Sequence, residues 1–255
     1  MSTPVTPEIG APENGKQSLS EIARVTNMFM SPSLTFEDIK RNTSWWLPYI
    51  LAAVVSISFV TIVGKKITWD QVLENSMNQM TEKQKDQMSK LSPEQLQQQQ
   101  KIILASIKYI SYSYPVVVLI VYLVLAAIFL ALFNFGAGAE IKFAQAFAVT
   151  IFSFVPWLAR GILACIMTVI VNDTSKFNME YPVVTNLGVL VSHAEHPALS
   201  SLASSVDIFN LWTVYLMGIG FAIVASKKKS TGLAITFGLY IFYCLLKFGW
   251  NLIFA

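Results

Sequence analysis

The chain has 255 residues, of which 54% are hydrophobic and only 13% charged, with a mean hydropathy of +0.54 and a formal charge of +3. Soluble domains carry about 25% charged residues, so this composition excludes an ordinary water-soluble enzyme and points to lipid as the main solvent. The small charge gives no basis for binding nucleic acid, and most of the lysines flank apolar runs, where they read as topology signals. The two cysteines, Cys165 and Cys244, both fall inside apolar runs, which argues against a disulfide framework.

Residues 1–18 are rich in Pro, Ser, Gly and Glu and are predicted to be disordered, because they have too little apolar surface to offset ordering. They hold no apolar core of a cleavable signal peptide, so the first apolar run, from Trp45, is expected to act as an internal signal-anchor. Leu19, Ile22, Val25 and Phe29 recur at helical spacing. Ser31-Pro32 breaks that pattern. Thr35 then opens "TFEDIKR", with Asp38 three residues on, the spacing of a capping box. Residues 19–44 are therefore expected to form two amphipathic helices on the membrane surface, with packing against the bundle as the alternative.

A spanning helix needs about 20 mostly apolar residues, and five segments qualify: 45–64, 109–135, 143–171, 206–226 and 231–255. The expected fold is all-α, a bundle of five transmembrane helices over 45–255 with a helical hairpin inserted between spans one and two. That insertion, 65–108, carries seven lysines against five acids and a loose helical stripe of Leu73, Met77, Met80, Met88 and Leu91. Ser92-Pro93-Glu94-Gln95 reads as a fresh helix start with Pro in its first turn, and "QLQQQQ" continues from it into span two. Between spans three and four, "VVTNLGVLV" is too short to cross. An interfacial piece, a re-entrant piece and a capping loop all remain open for it.

Lys227, Lys228 and Lys229 fill a very short loop, the kind that follows the positive-inside rule best. Placing them in the cytoplasm puts the N-terminus there as well and the C-terminus outside. Lys40, Arg41 and Lys142 agree and the lysines of the insertion disagree. The full tally ties at eight on each side with Arg160 and Lys247 left out. The expected location is the plasma or inner membrane, with multiple spans.

No catalytic constellation is found. The sequence lacks a His-Glu-x-x-His zincin motif, a Gly-x-Ser-x-Gly elbow and a phosphate-cradling Gly-Lys-Ser/Thr loop. "HAEH", with His193 and His196 three apart, has the spacing of two metal ligands but no second ligand cluster, and reads as a solvated loop before Pro197. "FNFGAGAEIKFAQAF" follows an apolar span and reads as a tight turn, with Gly136 and Gly138 free to take positive φ. No catalytic residue, metal or cofactor is assigned.

Arg160 is the most informative ionisable group, because it falls well inside span three, where a charge is costly. By depth along the helices its nearest acidic partner is Asp207, at the entrance of span four. Arg160 is read as a side chain that snorkels, as a structural ion pair with Asp207, or as the lining of a polar cavity for passage. Pro156 is expected to kink span three. Gly218 and Gly220 permit close packing, with Gly218 and Ala222 as a small-xxx-small pair that leaves homo-oligomerisation open.

Three stretches carry a family resemblance: "SPSLTFEDI", "FGAGAEIKFAQAFAVTIFSFVPWL" and "SSVDIFNLWTVYLMGIGFAI", the last with Asp207, Phe209, Trp212 and Gly220 in the family's spacing. The sequence from about Met28 to the end resembles the Yip1-domain family of five-span membrane proteins, in particular its shorter bacterial members. The resemblance implies a helical bundle with a cytoplasmic N-terminus. Eukaryotic members are tied to Rab-type GTPases and vesicle traffic through longer N-terminal regions than the 44 or so residues here, so that partnership is not carried over. The expected function is non-enzymatic, a membrane scaffold or adaptor that meets protein partners through the 65–108 insertion and the N-terminal helices. The rival reading is a transporter or lipid-handling protein with a polar cavity at Arg160.

Overall fold

The computed structural model describes residues 18–254, so the expected tail lies almost wholly outside the described residues. Eleven α-helices follow in order: α1 Glu21–Met30, α2 Pro32–Ile39, α3 Trp46–Lys66, α4 Trp69–Asn78, α5 Glu82–Ser89, α6 Pro93–Ala131, α7 Phe143–Ser153, α8 Pro156–Ile170, α9 Pro197–Ser205, α10 Ile208–Val224 and α11 Lys229–Phe254. Among the described residues the β-type pairing is one isolated bridge, Asn186 to Asp207. Four helical stretches are long and apolar enough to cross a membrane: Trp46–Lys66, Pro93–Gly136, Phe143–Ile170 and Lys229–Ile253. Ile208–Val224 is apolar but shorter.

The burial pattern ranks these helices. Half of the apolar window of Phe143–Ile170 is buried, against 17% for Trp46–Lys66 and for α11. The α7–α8 stretch is thus central, whereas α3, α6 and α11 turn rows such as Val116, Ile120 and Val124, or Ile241, Leu245 and Leu252, outward. Such rows are what lipid, not water, would solvate. The central stretch is not one helix. It ends at Ser153 and restarts at Pro156 in the first turn of α8, where a missing N–H costs nothing. The expected kink at Pro156 is therefore a full break. At the turn before α7, Gly138 alone of its two glycines takes positive φ, +59°. Asn134 bridges that turn, donating to the Ile141 carbonyl and accepting from its N–H, both at 3.0 Å.

α10 packs against α2, α7, α8 and α11. Its two inner glycines account for the closeness. A Cβ at Gly218 would stand 2.7 Å from Thr236 Oγ1 and 2.8 Å from Leu233, and a Cβ at Gly220 would stand 2.6 Å from the Phe36 ring and 2.8 Å from Val149. Gly218 therefore admits α11, and Gly220 admits α2 and α7.

The contact with Phe36 corrects the expectation for residues 19–44. α1 and α2 do not lie across an end of the bundle; they form an antiparallel pair running along α10. At the open end the Lys40 carbonyl accepts from Gln145 Nε2 at 3.2 Å. Phe36 sits on Gly220, and Phe29 meets the Trp212 ring edge-on with centroids 5.7 Å apart. Gly220 to Trp212 is eight residues, about 12 Å of helix. The amphipathic pattern is real, but its apolar residues serve two sides. Met28, Phe36 and Ile39 enter the core, while Ile22, Met30 and Leu34 face outward.

An ion network holds this hairpin. Arg24 is fully buried; it donates to the Ser44 carbonyl at 2.7 Å and the Asn42 carbonyl at 2.6 Å, and its guanidinium lies 4.7 Å from the centre of the Phe152 ring. Its Nε faces Asp38 Oδ2 at 3.4 Å, a charge contact without hydrogen-bond geometry. Arg41 approaches the other Asp38 oxygen at 3.0 Å. Thr35 and Asp38 are therefore not a capping box. Ser31 precedes the helix, Thr35 donates to the Arg24 carbonyl at 2.8 Å, and Asp38 is a counter-ion.

Removing one partner of a buried ion pair costs about 3 to 5 kcal/mol. Arg24→Met is expected to lower the thermal stability of detergent-solubilised protein and to speed trypsin cleavage after Lys40 and Arg41. The double change Arg24→Met with Asp38→Leu should recover much of the loss. Unchanged cleavage in the single variant would contradict the anchoring role.

Candidate functional site

Of the polar residues singled out in the sequence, Asp207 falls where the chain breaks helix between α9 and α10. At 17 residues α10 is about 25 Å long, less than a hydrocarbon core of about 30 Å. Both helices pack along α11: Gly218 lies beside Thr236, and the side chains of Tyr240 and Lys247 reach Ser205 and Ser204. The expected fourth segment, 206–226, contains α10, and α9 directly precedes it. Four of the nine residues of α9 are buried serines whose hydroxyls face protein, not lipid.

A helix that starts inside an apolar medium leaves its first N–H groups without partners. Asp207 resolves this. Its Oδ1 accepts from Phe209 N–H at 2.8 Å and from Asn210 N–H at 3.1 Å, and its Oδ2 accepts from the Thr185 hydroxyl. The carboxylate is 3% exposed and also sits at the positive end of the α10 dipole. The loop at 185–190 clamps the break: Ile208 N–H donates to the Thr185 carbonyl and Leu187 N–H to the Val206 carbonyl, both at 3.2 Å. Of the three readings of "VVTNLGVLV", the structure makes it a capping loop, with a short 3-10 turn over Leu187–Leu190. On the other side of the break the carbonyl end of α9 receives the Tyr240 hydroxyl at Ser205, and Lys247 Nζ donates to Ser204 Oγ at 3.2 Å. A cation there also complements the α9 dipole.

Arg160 sits on α8 and does not pair with Asp207. Among the described residues it makes neither an ion pair nor a hydrogen bond; its guanidinium lies 4.7 Å from the centre of the Trp157 ring, and its Nε is buried and unpaired. The expected Arg160–Asp207 pair is thus corrected. Asp207 is directed instead to the α10 cap and Thr185. The charge of Arg160 is felt by the phenol of Tyr181. Burial pushes Tyr181, in the loop after α8, up to about 12, and Arg160 pulls the other way.

The remaining expected features are placed as follows. Lys227 Nζ donates to the Gly138 carbonyl at 2.8 Å, tying the α10–α11 turn to the α6–α7 turn. Lys229 Nζ donates to the Tyr215 hydroxyl at 2.8 Å, and Lys228 is exposed. Trp212 is half-buried, with Phe29 packed against its ring. His193 borders a cavity of about 320 Å³ under α4, together with Gln79, Gln84, Phe177 and Glu180. His196 is the residue before α9 and makes no side-chain cap. Among the described residues no group of three or more His, Cys, Asp or Glu side chains could hold a metal ion. The reasoning from sequence missed Arg24 and Lys247 as bundle ties; a cation within an apolar helical stripe was the available signal for the first.

Asp207→Ala removes acceptors from two N–H groups and one hydroxyl, and is expected to cost about 1 to 3 kcal/mol, read as a lower unfolding temperature in detergent. Asp207→Asn keeps one cap oxygen and should lose about half as much. Equal stability of the alanine variant would refute the capping role.

Compared with known protein families, residues 26–249 match the model described as "Yip1 domain". Compared with curated proteins and with solved structures, the chain finds no match.

Proposed function

Because the chain belongs to the Yip1-domain family, a family match that runs over nearly its whole length, we propose that this membrane protein crosses five times and works as a non-enzymatic scaffold. In this reading the fourth crossing is the broken pair α9–α10, so the insertion 65–108 and the loop 171–196 emerge together on the face opposite Lys227–Lys229. That face is extracytoplasmic by the positive-inside rule, with the N-terminus in the cytoplasm and the C-terminus outside, in the plasma or inner membrane.

The observation that carries the reading is the built joint between those two emerging pieces. The Asn75 side-chain amide donates to the Thr174 carbonyl at 2.8 Å and the Phe177 carbonyl at 2.9 Å. Asn178 Nδ2 donates to Gln79 Oε1 at 2.9 Å, and Val63, Ile67, Val72 and Phe177 form a separate apolar cluster beneath. Two segments about 100 residues apart are thereby fixed as one platform, with α5 and its Lys83 and Lys85 at the rim. A fixed, solvated platform on a membrane bundle suits protein partners. The polar groups at the helix break are largely paired with one another, which favours a static bundle over a passage.

The test is a photo-crosslinking residue at Lys83 in cells. A specific adduct is expected, and Asn75→Leu should cut its yield severalfold while the membrane bundle keeps its unfolding temperature. Absence of any adduct, or an adduct indifferent to Asn75→Leu, would contradict the platform as the partner surface.

A further inference from the structure

Among the described residues, and outside the Arg24 network, three buried side-chain donors lack a partner: Trp157 Nε1, Arg160 Nε and Thr213 Oγ1. They are not scattered. Trp157 and Arg160 are three residues apart on α8, hence on one face, and the guanidinium lies over the indole. Thr213 is on α10, which packs against α8. Its level follows from the register. Gly220 of α10 lies against Val149 of α7. Seven residues back from Gly220 is Thr213, and seven forward from Val149 is Pro156, next to Trp157. Thr213 is 3% exposed, and its hydroxyl does not bond back to its own helix as those of Thr150, Ser153 and Thr168 do.

Three donor groups, one of them permanently cationic, call for an oxygen-rich acceptor, and an anion would answer the charge as well. Asp207 is committed to the α10 cap. A guanidinium offers a planar fork that matches phosphate oxygens. We infer that the seam of α8 and α10 binds a phosphate group, with Arg160 as the charge partner and Trp157 and Thr213 as neutral donors. This assignment does not depend on the scaffold reading. The favoured source is a phospholipid. Arg160 is ten residues, about 15 Å, from the end of α8 at Ile170, and its guanidinium lies over Trp157. Ile162, Leu163 and Ile166 on the same helix are exposed and apolar, a lipid-facing surface beside the site. Free phosphate entering from the loop side is the other source of the same chemistry.

The experiment is native mass spectrometry and affinity measurement on the full chain, delipidated in detergent. It is probed separately with phosphatidylglycerol, with a neutral diacylglycerol and with inorganic phosphate. Preferential retention of phosphatidylglycerol over diacylglycerol is expected, weakened about tenfold by Arg160→Gln and partly restored by Arg160→Lys. Should Arg160→Gln fail to fold, Thr213→Val serves, with a severalfold loss expected. Binding of inorganic phosphate with the same dependence on Arg160, without lipid retention, keeps the site and assigns it to a soluble ligand. Phosphatidylglycerol retained no better than diacylglycerol with inorganic phosphate unbound, or phosphate-group binding indifferent to both substitutions, would overturn the assignment.

Discussion

A helix that begins in apolar surroundings has no water to receive its first N–H groups, and much of this fold is arranged around that constraint at Asp207. The carboxylate accepts from the first turn of α10. Thr185 holds the carboxylate, the 185–190 loop bonds across the break, and Tyr240 closes the carbonyl end of α9. α11 must run long enough to meet both halves, and it does, with Gly218 admitting it at one level and Lys247 reaching Ser204 at another. Irregular backbone at membrane depth is tolerated only where protein covers it, which is why the break lies inside the bundle.

The same logic organises the opposite half. Gly220 leaves a groove on α10 that α1 and α2 fill, and the hairpin brings its own charges inward. A buried Arg24 can remain charged because Asp38, two backbone carbonyls and the face of Phe152 replace water. Buried ion pairs add little net stability against an apolar alternative. What this one supplies is registration within the hairpin, fixing α1 on α2 and on the Asn42 and Ser44 carbonyls, while Phe152 of α7 meets the guanidinium from the bundle.

How much of this was readable beforehand depended on whether lipid or protein faced each residue. The stretches α3, α6 and α11 were legible because lipid exposure demands long unbroken apolar runs, and their expected limits differ from the observed ones mainly where polar residues extend the helix, as Gln97–Gln100 do at α6. α9 was not legible, since its buried serines satisfy themselves on helix carbonyls and so look like a polar loop in sequence. Arg24 and Asp38 looked like surface charges for the same reason. The place of Asp207 at the entrance of a helix was legible, but its partners were not, because the Thr185 hydroxyl and two N–H groups of α10 carry no charge signal. Arg160 was correctly singled out as a charge needing an answer, and the structure moves that answer from a carboxylate to a seam of unpaired donors.

The account turns on whether α9 and α10 together cross the membrane although α10 alone is too short. In a chain freed of Cys165 and Cys244, single cysteines at the exposed positions His193 and Lys228 bracket the broken span. With a membrane-impermeant thiol reagent on intact cells, His193→Cys should label at once and Lys228→Cys only after permeabilisation. The reverse pattern would keep the crossing and invert the orientation. Labelling of both positions from the same side would contradict a crossing built from two half-helices.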